Sequence, residues 1–259
     1  MSEPQFQVKL AATEAELRAA QRLRYEVFVR ELGAGGDLVD HVAGLEKDRF
    51  DPYFDHMILI DHAREGAQVV GVYRLLREGP AKEAGQFYSE DEYDIAPLKS
   101  SGRRLLELGR SCLHADYRGG AGMFHLWNGL ADYVIRHEIE ILFGVASLHG
   151  TDVNELAPVL SLLHHRHLAP EPLRVRAQAA QFQRMDLIAE EALDRRAAVV
   201  QVPALIKAYL RLGGVVGEGA YIDHAFNTTD VCLIMDTGKM NAKQRALYSR
   251  GHKQSQRPG

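Results

Sequence analysis

Cysteine is scarce in this chain: 259 residues hold two, Cys112 and Cys232, each inside an apolar run. That excludes a disulfide-stapled scaffold and a thiolate metal cluster, and the pair reads as reduced core thiols. Long apolar runs are also missing. The longest, residues 139–148, is too short and too polar to cross a bilayer. The opening Met1-Ser2-Glu3-Pro4-Gln5 lacks the charged-then-apolar order of a secretory signal. Basic charge is not in excess, since 31 Lys and Arg face 35 Asp and Glu for a net −4, so nucleic acid is not an expected partner. What remains is an ordinary globular composition, 46% apolar and 25% charged, long enough for one large domain or two small ones. The expected setting is cytoplasmic, with at most a peripheral contact at the inner membrane face.

Local patterns supply the elements. Residues 6–10 alternate like a strand, and Thr13-Glu14-Ala15-Glu16 has the shape of a capping box. Leu17, Ala20, Leu23, Val27 and Phe28 recur at helical spacing, predicting a helix over 14–31 that ends at residues 33–36. An acid-rich loop is expected over 42–54, then two antiparallel strands, 56–61 and 68–76, joined by a polar turn. Residues 79–101, rich in Gly, Pro, Ser and acids, read as a long excursion of the kind that forms a lid or pocket wall. Helices are expected over 153–163 and 204–212, and closing strands over 215–222 and 231–235. Residues 237–259 carry six Lys or Arg and no acid, reading as a flexible basic tail.

The densest information lies in 103–147, which reads as strand, glycine turn, helix and strand. Tyr117-Arg118-Gly119-Gly120-Ala121-Gly122 opens directly into the helix. Glycines let backbone N–H groups converge, and a helix N-terminus adds partial positive charge, which suits an anionic or polarised group. A plain strand-to-helix turn is the bland alternative. No Gly-Lys-Ser/Thr follows, so the turn is no nucleotide P-loop, and no acid ends the second strand as a dinucleotide site requires. On the preceding strand, Glu107 and Arg110 sit among Leu105, Leu106, Leu108 and Cys112. A half-buried carboxylate can serve as a base, and a bulge at Gly109 would turn both charges to one face; a structural ion pair is the alternative.

Other charges have weaker claims. Arg24, on the first helix, and Arg74, ending a strand, could each bind a carboxylate, and Glu46, Asp48 and Asp51 could bind an ammonium. His56 and Asp61 have the His-x-x-x-x-Asp spacing of glycerolipid acyltransferases, but an odd separation on a strand points them apart. His164-His165-Arg166-His167 completes no metal set, and no metal is expected.

Together, Arg24-Tyr25-Glu26-Val27-Phe28, residues 46–51, Arg74-Leu75-Leu76 and Glu107-Leu108-Gly109-Arg110 with the glycine turn resemble the L-ornithine N-alpha-acyltransferases. Those belong to the GCN5-related N-acetyltransferase superfamily and are similar to the acyl-homoserine lactone synthases. The resemblance implies an α/β fold: a single domain over 6–236, with a mixed central sheet, helices on both faces and a splayed strand pair forming the donor cleft. It implies transfer of a 3-hydroxyacyl group from acyl carrier protein to the α-amine of L-ornithine, giving lyso-ornithine lipid. Glu107, or else Asp48, would be the base, and Arg110 would belong to the same catalytic group. Arg24, Phe28, Glu46, Asp51 and Arg74 would bind ornithine. Leu113 would hold the oxyanion, and Arg118, Gly119, Gly120, Ala121 and Gly122 would grip the donor. No cofactor is implied beyond the phosphopantetheine arm on the carrier protein, which would dock on basic residues near 164–176 and in the tail. The glycine turn departs from the Gln/Arg-x-x-Gly-x-Gly/Ala pattern of acetyl-CoA users, which favours a carrier protein over free CoA. An autoinducer synthase, an acetyl-CoA-dependent N-acetyltransferase and a non-catalytic lipid- or carrier-binding module are the alternatives.

Overall fold

The computed structural model describes residues 3–36 and 38–239. Chain order begins with β1 (Phe6–Leu10), α1 (Glu14–Arg24), a π-helical extension (Tyr25–Glu31), β2 (Asp55–Asp61), β3 (Gln68–Arg77) and α2 (Glu78–Ala84). Next come β4 (Tyr93–Asp94), α3 (Ala96–Lys99), β5 (Leu105–Leu113), α4 (Gly122–Arg136), β6 (Ile141–His149) and α5 (Val153–His167). The chain continues through β7 (Arg176–Ala177), β8 (Phe182–Gln183), α6 (Arg195–Gln201), α7 (Ala204–Arg211), β9 (Val215–Val216), β10 (Ala220–Asp223) and β11 (Thr228–Asp236). These form two compact units: residues 3–36, 38–85 and 108–138, and residues 86–107 and 139–239.

In the first unit the strand order is β1-β2-β3-β5. Strand alternation explains why β2 is apolar throughout its middle. Ile58 and Ile60 join Val72 and Cys112 in a cluster with Ala20, Leu23 and Val27 of the N-terminal helix. On the opposite face, α4 packs so closely that a Cβ on its Gly129 would lie 2.5 Å from Val8 Cγ1 and 3.1 Å from Met57 Sδ. With a helix over each face, both side-chain sets of β2 are buried. The N-terminal helix starts where the sequence indicates: Thr13 Oγ1 accepts the Glu16 N–H at 3.2 Å. Glu16 returns its carboxylate to the Ala12 N–H rather than to the cap residue. The helix loosens into π geometry after Arg24, where such wider turns often accompany functional side chains.

The second unit holds a mixed sheet. β6 pairs antiparallel with β11 from Ile141↔Asp236 to Thr228↔His149. Its parallel ladder with β5 covers Leu105↔Ile141, Leu106↔Leu142 and Glu107↔Phe143. Strands β10 and β8 extend the order beyond β11, and β9 also pairs with β11. Tyr93 is fully buried, its hydroxyl 2.9 Å from the carbonyls of Gly219 and Asp230.

Two stretches differ from expectation. The excursion at 79–101 is built of α2, a 3₁₀ turn at Tyr88–Asp91, β4 and α3. Its acids are turn acceptors: Glu90 takes the Phe87 N–H and Asp94 the Ala96 N–H. Helix α6, which no pattern announced, is capped by Asp194 accepting from Arg196 and Ala197. The basic tail lies outside the described residues from 240 onward. Among the described residues no helix is long and apolar enough to cross a membrane. Cys112 and Cys232 are free and buried, and burial pushes the Cys112 thiol up to about 12, so neither is poised to react.

Candidate functional site

The sheet face that buries Ile58, Val72 and Cys112 in the first unit turns polar two residues further along each strand. His56 precedes Ile58, Arg74 follows Val72, and Arg110 precedes Cys112. Register places His56 opposite Arg74, so both project from this face. Gln21 and Arg24, at the end of α1, approach from above. The segment after the helix adds Glu46, Asp48 and Asp51, anchored where the Glu46 N–H donates to the Gln21 carbonyl at 3.1 Å.

Three guanidiniums and three carboxylates interlock here. Arg24 Nε donates to Glu46, and its Nη1 to Asp51 at 2.8 Å. Arg74 Nη1 reaches Asp48 and Asp51, each at 2.7 Å. Arg110 Nε lies 3.1 Å from Glu46 and its Nη2 3.4 Å from Asp48. Gln21 gives Asp51 a further donor at 2.8 Å. Arg74 stacks over Phe54 at 4.2 Å, and Arg110 lies 5.9 Å from the Phe28 ring. Arg24 and Arg74 are wholly enclosed, whereas side-chain exposure reaches 15% at Arg110 and 20% at Asp48. That pair is the edge an incoming molecule can meet.

Burial alone would raise the carboxyls of this network. For Glu46 burial is outweighed by Arg110 and Arg24, which hold it down at about 2; Asp48 and Asp51 are lowered for the same reason. A group depressed on folding contributes stability above its unfolded value and loses it as pH falls through the folded one. The network's own contribution should therefore stay constant from neutrality down to about pH 4.5 and be lost toward pH 2, whereas His56, buried neutral with a lowered pKa, costs stability as pH falls below its unfolded value. Melting temperatures between about pH 4.5 and pH 2 check the network's share; a flat profile across that range would contradict it.

The structure brings Arg24, Arg74, Arg110, Phe28, Glu46, Asp48 and Asp51, all expected as site residues, into one place. The three acids, expected to receive a substrate ammonium, are each paired with arginines, and of them Asp48 is the most exposed. Arg24 and Arg74, expected to take the substrate carboxylate, are enclosed and engaged by carboxylates. His56 was dismissed with its distant spacing to Asp61; the structure gives the two residues separate tasks. His56 Nε2–H donates to the Asp51 carbonyl at 3.0 Å, and burial keeps the ring neutral by lowering its pKa. Asp61 accepts the Tyr117 hydroxyl at 2.6 Å. The positioning role of His56 carries no local sequence signal, because Asp51 reaches it through a turn.

Glu107 belongs to the second unit and is 1% exposed, not half-buried. Its carboxylate accepts the N–H of Tyr88 at 2.7 Å, the N–H of Ser89 at 2.6 Å and the Ser89 hydroxyl. Both oxygens already accept donors from the protein. The geometry gives Glu107 the task of anchoring the 88–91 turn. The backbone irregularity expected at Gly109 sits instead on Arg110, whose φ of 49° is left-handed.

The glycine turn has structural reasons for two of its glycines. Gly119 has φ 76°, and a Cβ at Gly122 would lie 3.3 Å from Leu113 Cδ2, where the first turn of α4 presses on the sheet. Gly120 and Ala121 are exposed. Arg118 is tied to the Leu113 carbonyl at 3.1 Å and to Glu31 at 2.6 Å, which holds the turn to β5 and to the end of the π-helical segment.

A family model described as an acetyltransferase (GNAT) domain matches residues 23–128, the span that contains the whole charged network. The chain is 62% identical over 248 residues to the L-ornithine N(alpha)-acyltransferase of Rhodobacter capsulatus, covering 95% of each chain. It is 42% identical to the enzyme of that name from Brucella abortus, over 94% of this chain and 88% of the other. Among solved structures it is similar to the AHL synthase LasI, with TM-score 0.52 at 16% identity, covering 96% of this chain and 97% of the other. It is also similar to FeeM, an N-acyl amino acid synthase from uncultured soil microbes, with TM-score 0.51 at 10% identity over 94% and 98%. At such identities the structural likeness speaks for the fold; the full-length relatives speak for more, and this chain belongs to the L-ornithine N(alpha)-acyltransferase family.

Proposed function

We propose that this protein is an N-acyltransferase that moves a 3-hydroxyacyl group from the thioester of acyl carrier protein to the α-amine of L-ornithine, giving lyso-ornithine lipid. The observation that carries the reading is the 62% identity, over 95% of both chains, to a protein named for ornithine acylation. The geometry agrees with it. At the exposed edge of the charged network, Arg110 and Asp48 set a guanidinium and a carboxylate 3.4 Å apart. An α-amino acid head group is the complementary pair, carboxylate to Arg110 and α-ammonium to Asp48. The enclosed pairs behind, among Arg24, Arg74, Glu46 and Asp51, fix both groups in place.

The amine must lose a proton before its lone pair can attack the thioester carbon. Asp48 is the network carboxylate a substrate can reach, so proton removal falls to it, directly or through water, and Glu107 acts as a positioning residue. Asp48 is held ionised by Arg74 and Arg110, which keeps it available as an acceptor but makes it a weak base. The exposed backbone at 119–121, ahead of a 15-residue helix, is the proposed grip for the pantetheine arm. The acidic carrier protein would dock on the basic residues at 164–176, where Arg166 pairs with Glu190 and Arg176 with Glu218. Docking of that kind weakens as salt rises.

Purified protein, ornithine and a 3-hydroxyacyl carrier protein should yield N-acylornithine detectable by mass spectrometry. The matched acyl-CoA should be a far poorer donor. Equal efficiency with CoA would overturn the carrier assignment, and release of methylthioadenosine from S-adenosylmethionine would favour an autoinducer synthase instead.

A further inference from the structure

One stretch of the first unit exposes apolar side chains that neither the fold nor the charged network uses. Leu32 is 53% exposed, Leu38 48%, and Val42 fully. Val42 does not belong to a frayed loop, because it stands at the tip of a tightly built turn. The Asp40 N–H donates to the Leu45 carbonyl at 2.9 Å, and the Leu45 N–H donates back to the Asp40 carbonyl at 3.0 Å. Asp40 Oδ1 accepts the N–H groups of Val42 at 3.1 Å and Ala43 at 2.8 Å. Gly44 closes the turn at φ 64°, where a Cβ would lie 3.7 Å from the Tyr25 ring. The Tyr25 hydroxyl in turn lies 3.1 Å from His41 Nδ1, and Leu45 is buried beneath. The fold therefore holds a valine firmly in water, at a position where a polar residue would serve the turn as well. Apolar groups exposed in this way mark a contact surface.

Charge selects the partner. The Ala43 N–H lowers the Asp40 carboxyl, and Lys47 and Arg18 add their charge to that effect, which places both cations near the turn. Arg18 also pairs with Glu14 at 3.3 Å, and Arg22, one helical turn further along α1, is exposed as well. Asp40, the acid of the tip, is engaged by the turn's own N–H groups. An apolar tip flanked by Arg and Lys suits an anionic bilayer, with carbon at the acyl boundary and cations at the phosphates. We propose that the turn at 40–45 docks this protein on an anionic lipid surface, with Val42 entering the acyl boundary and Lys47 and Arg18 facing the phosphates. Leu32 and Leu38, on the approach to the turn, add apolar area. The turn runs straight into the network, since Glu46 is the next residue and Asp48 follows. Docking there sets the exposed edge formed by Arg110 and Asp48 near the bilayer, which is where an amino acid carrying a long acyl chain must go. That benefit rests on the acyltransferase reading; the docking itself does not.

Flotation of the full-length protein with lipid vesicles tests the proposal without substrate or turnover. The protein should float with vesicles made of equal parts phosphatidylglycerol and phosphatidylcholine, and less with phosphatidylcholine alone. Residues 237–259 carry six Lys or Arg, so attraction to anionic vesicles is not by itself decisive; the deciding variants leave that tail intact. Val42→Glu should weaken binding about tenfold or more, and Val42→Trp, which suits the membrane interface, should strengthen it. The added indole should shift its emission to shorter wavelength on vesicles. Lys47→Gln should weaken binding to the mixed vesicles about fivefold and leave binding to phosphatidylcholine alone unchanged. Val200→Glu, at an exposed valine of α6 in the second unit, should change nothing, and melting curves confirm that each variant is folded. Failure of the parent to float, equal flotation of parent and Val42→Glu, or a loss confined to Val200→Glu would overturn the proposal. So would a Val42→Glu protein that binds vesicles normally but needs far more acyl carrier protein, which would assign the tip to a protein partner. An enzyme that docks on vesicles yet acylates nothing would refute the acyltransferase reading and leave the docking surface standing.

Discussion

Arg24→Met should lower stability by about 3–5 kcal/mol, the penalty expected when one member of a buried charge network is removed. For a chain of this size that corresponds to a fall in melting temperature of roughly 10 °C. The reason is the geometry around an enclosed guanidinium that serves Glu46 and Asp51 at once. Methionine fills the volume but leaves both carboxylates short of a cation where water does not reach. Lysine should recover part of the loss, because one ammonium cannot reproduce a planar fork that addresses two acids. A melting temperature within 2–3 °C of the parent would mean that solvent screens the network far better than its burial implies.

Arg110 offers a sharper separation of stability from function. Its φ of 49° is strained for any residue with a Cβ, at about 1 kcal/mol or more. Glycine adopts that backbone freely. Arg110→Gly should therefore be more stable than Arg110→Ala by about 1 kcal/mol, read by denaturant unfolding. Both should lose turnover on ornithine by about 100-fold or more, since neither presents a cation to the substrate carboxylate. The strained backbone would then be the cost of aiming this guanidinium at Glu46 and Asp48. If the glycine variant kept full activity, Arg110 would belong to the scaffold and the head-group assignment would fall.

Much of the fold was legible because its determinants are local. Thr13, the 3.6-residue spacing of Leu17 through Phe28, and the β2 run of Met57-Ile58-Leu59-Ile60 each announce their element within one segment. The site was legible as a set of residues, because charges set within apolar helix and strand patterns stand out. The partners of each charge were not, for a physical reason: they come from distant segments. Glu107 accepts from Tyr88 and Ser89, which lie in a stretch the sequence presents as a loop. His56 looked incidental because its partner is a backbone carbonyl, which no side-chain pattern marks. The acids of 90–94 read as loop polarity, whereas Glu90 and Asp94 build the turns that order that stretch.

Lipid extracts from a host that makes no ornithine lipids, expressing this protein with its native carrier protein, test the central claim most directly. Mass spectrometry should find 3-hydroxyacyl chains amide-linked to the α-nitrogen of ornithine, and the Arg110→Gly variant, expressed to the same level, should make almost none. Extracts without acylated ornithine from a folded, abundant protein, or with another amine acylated in its place, would contradict the account.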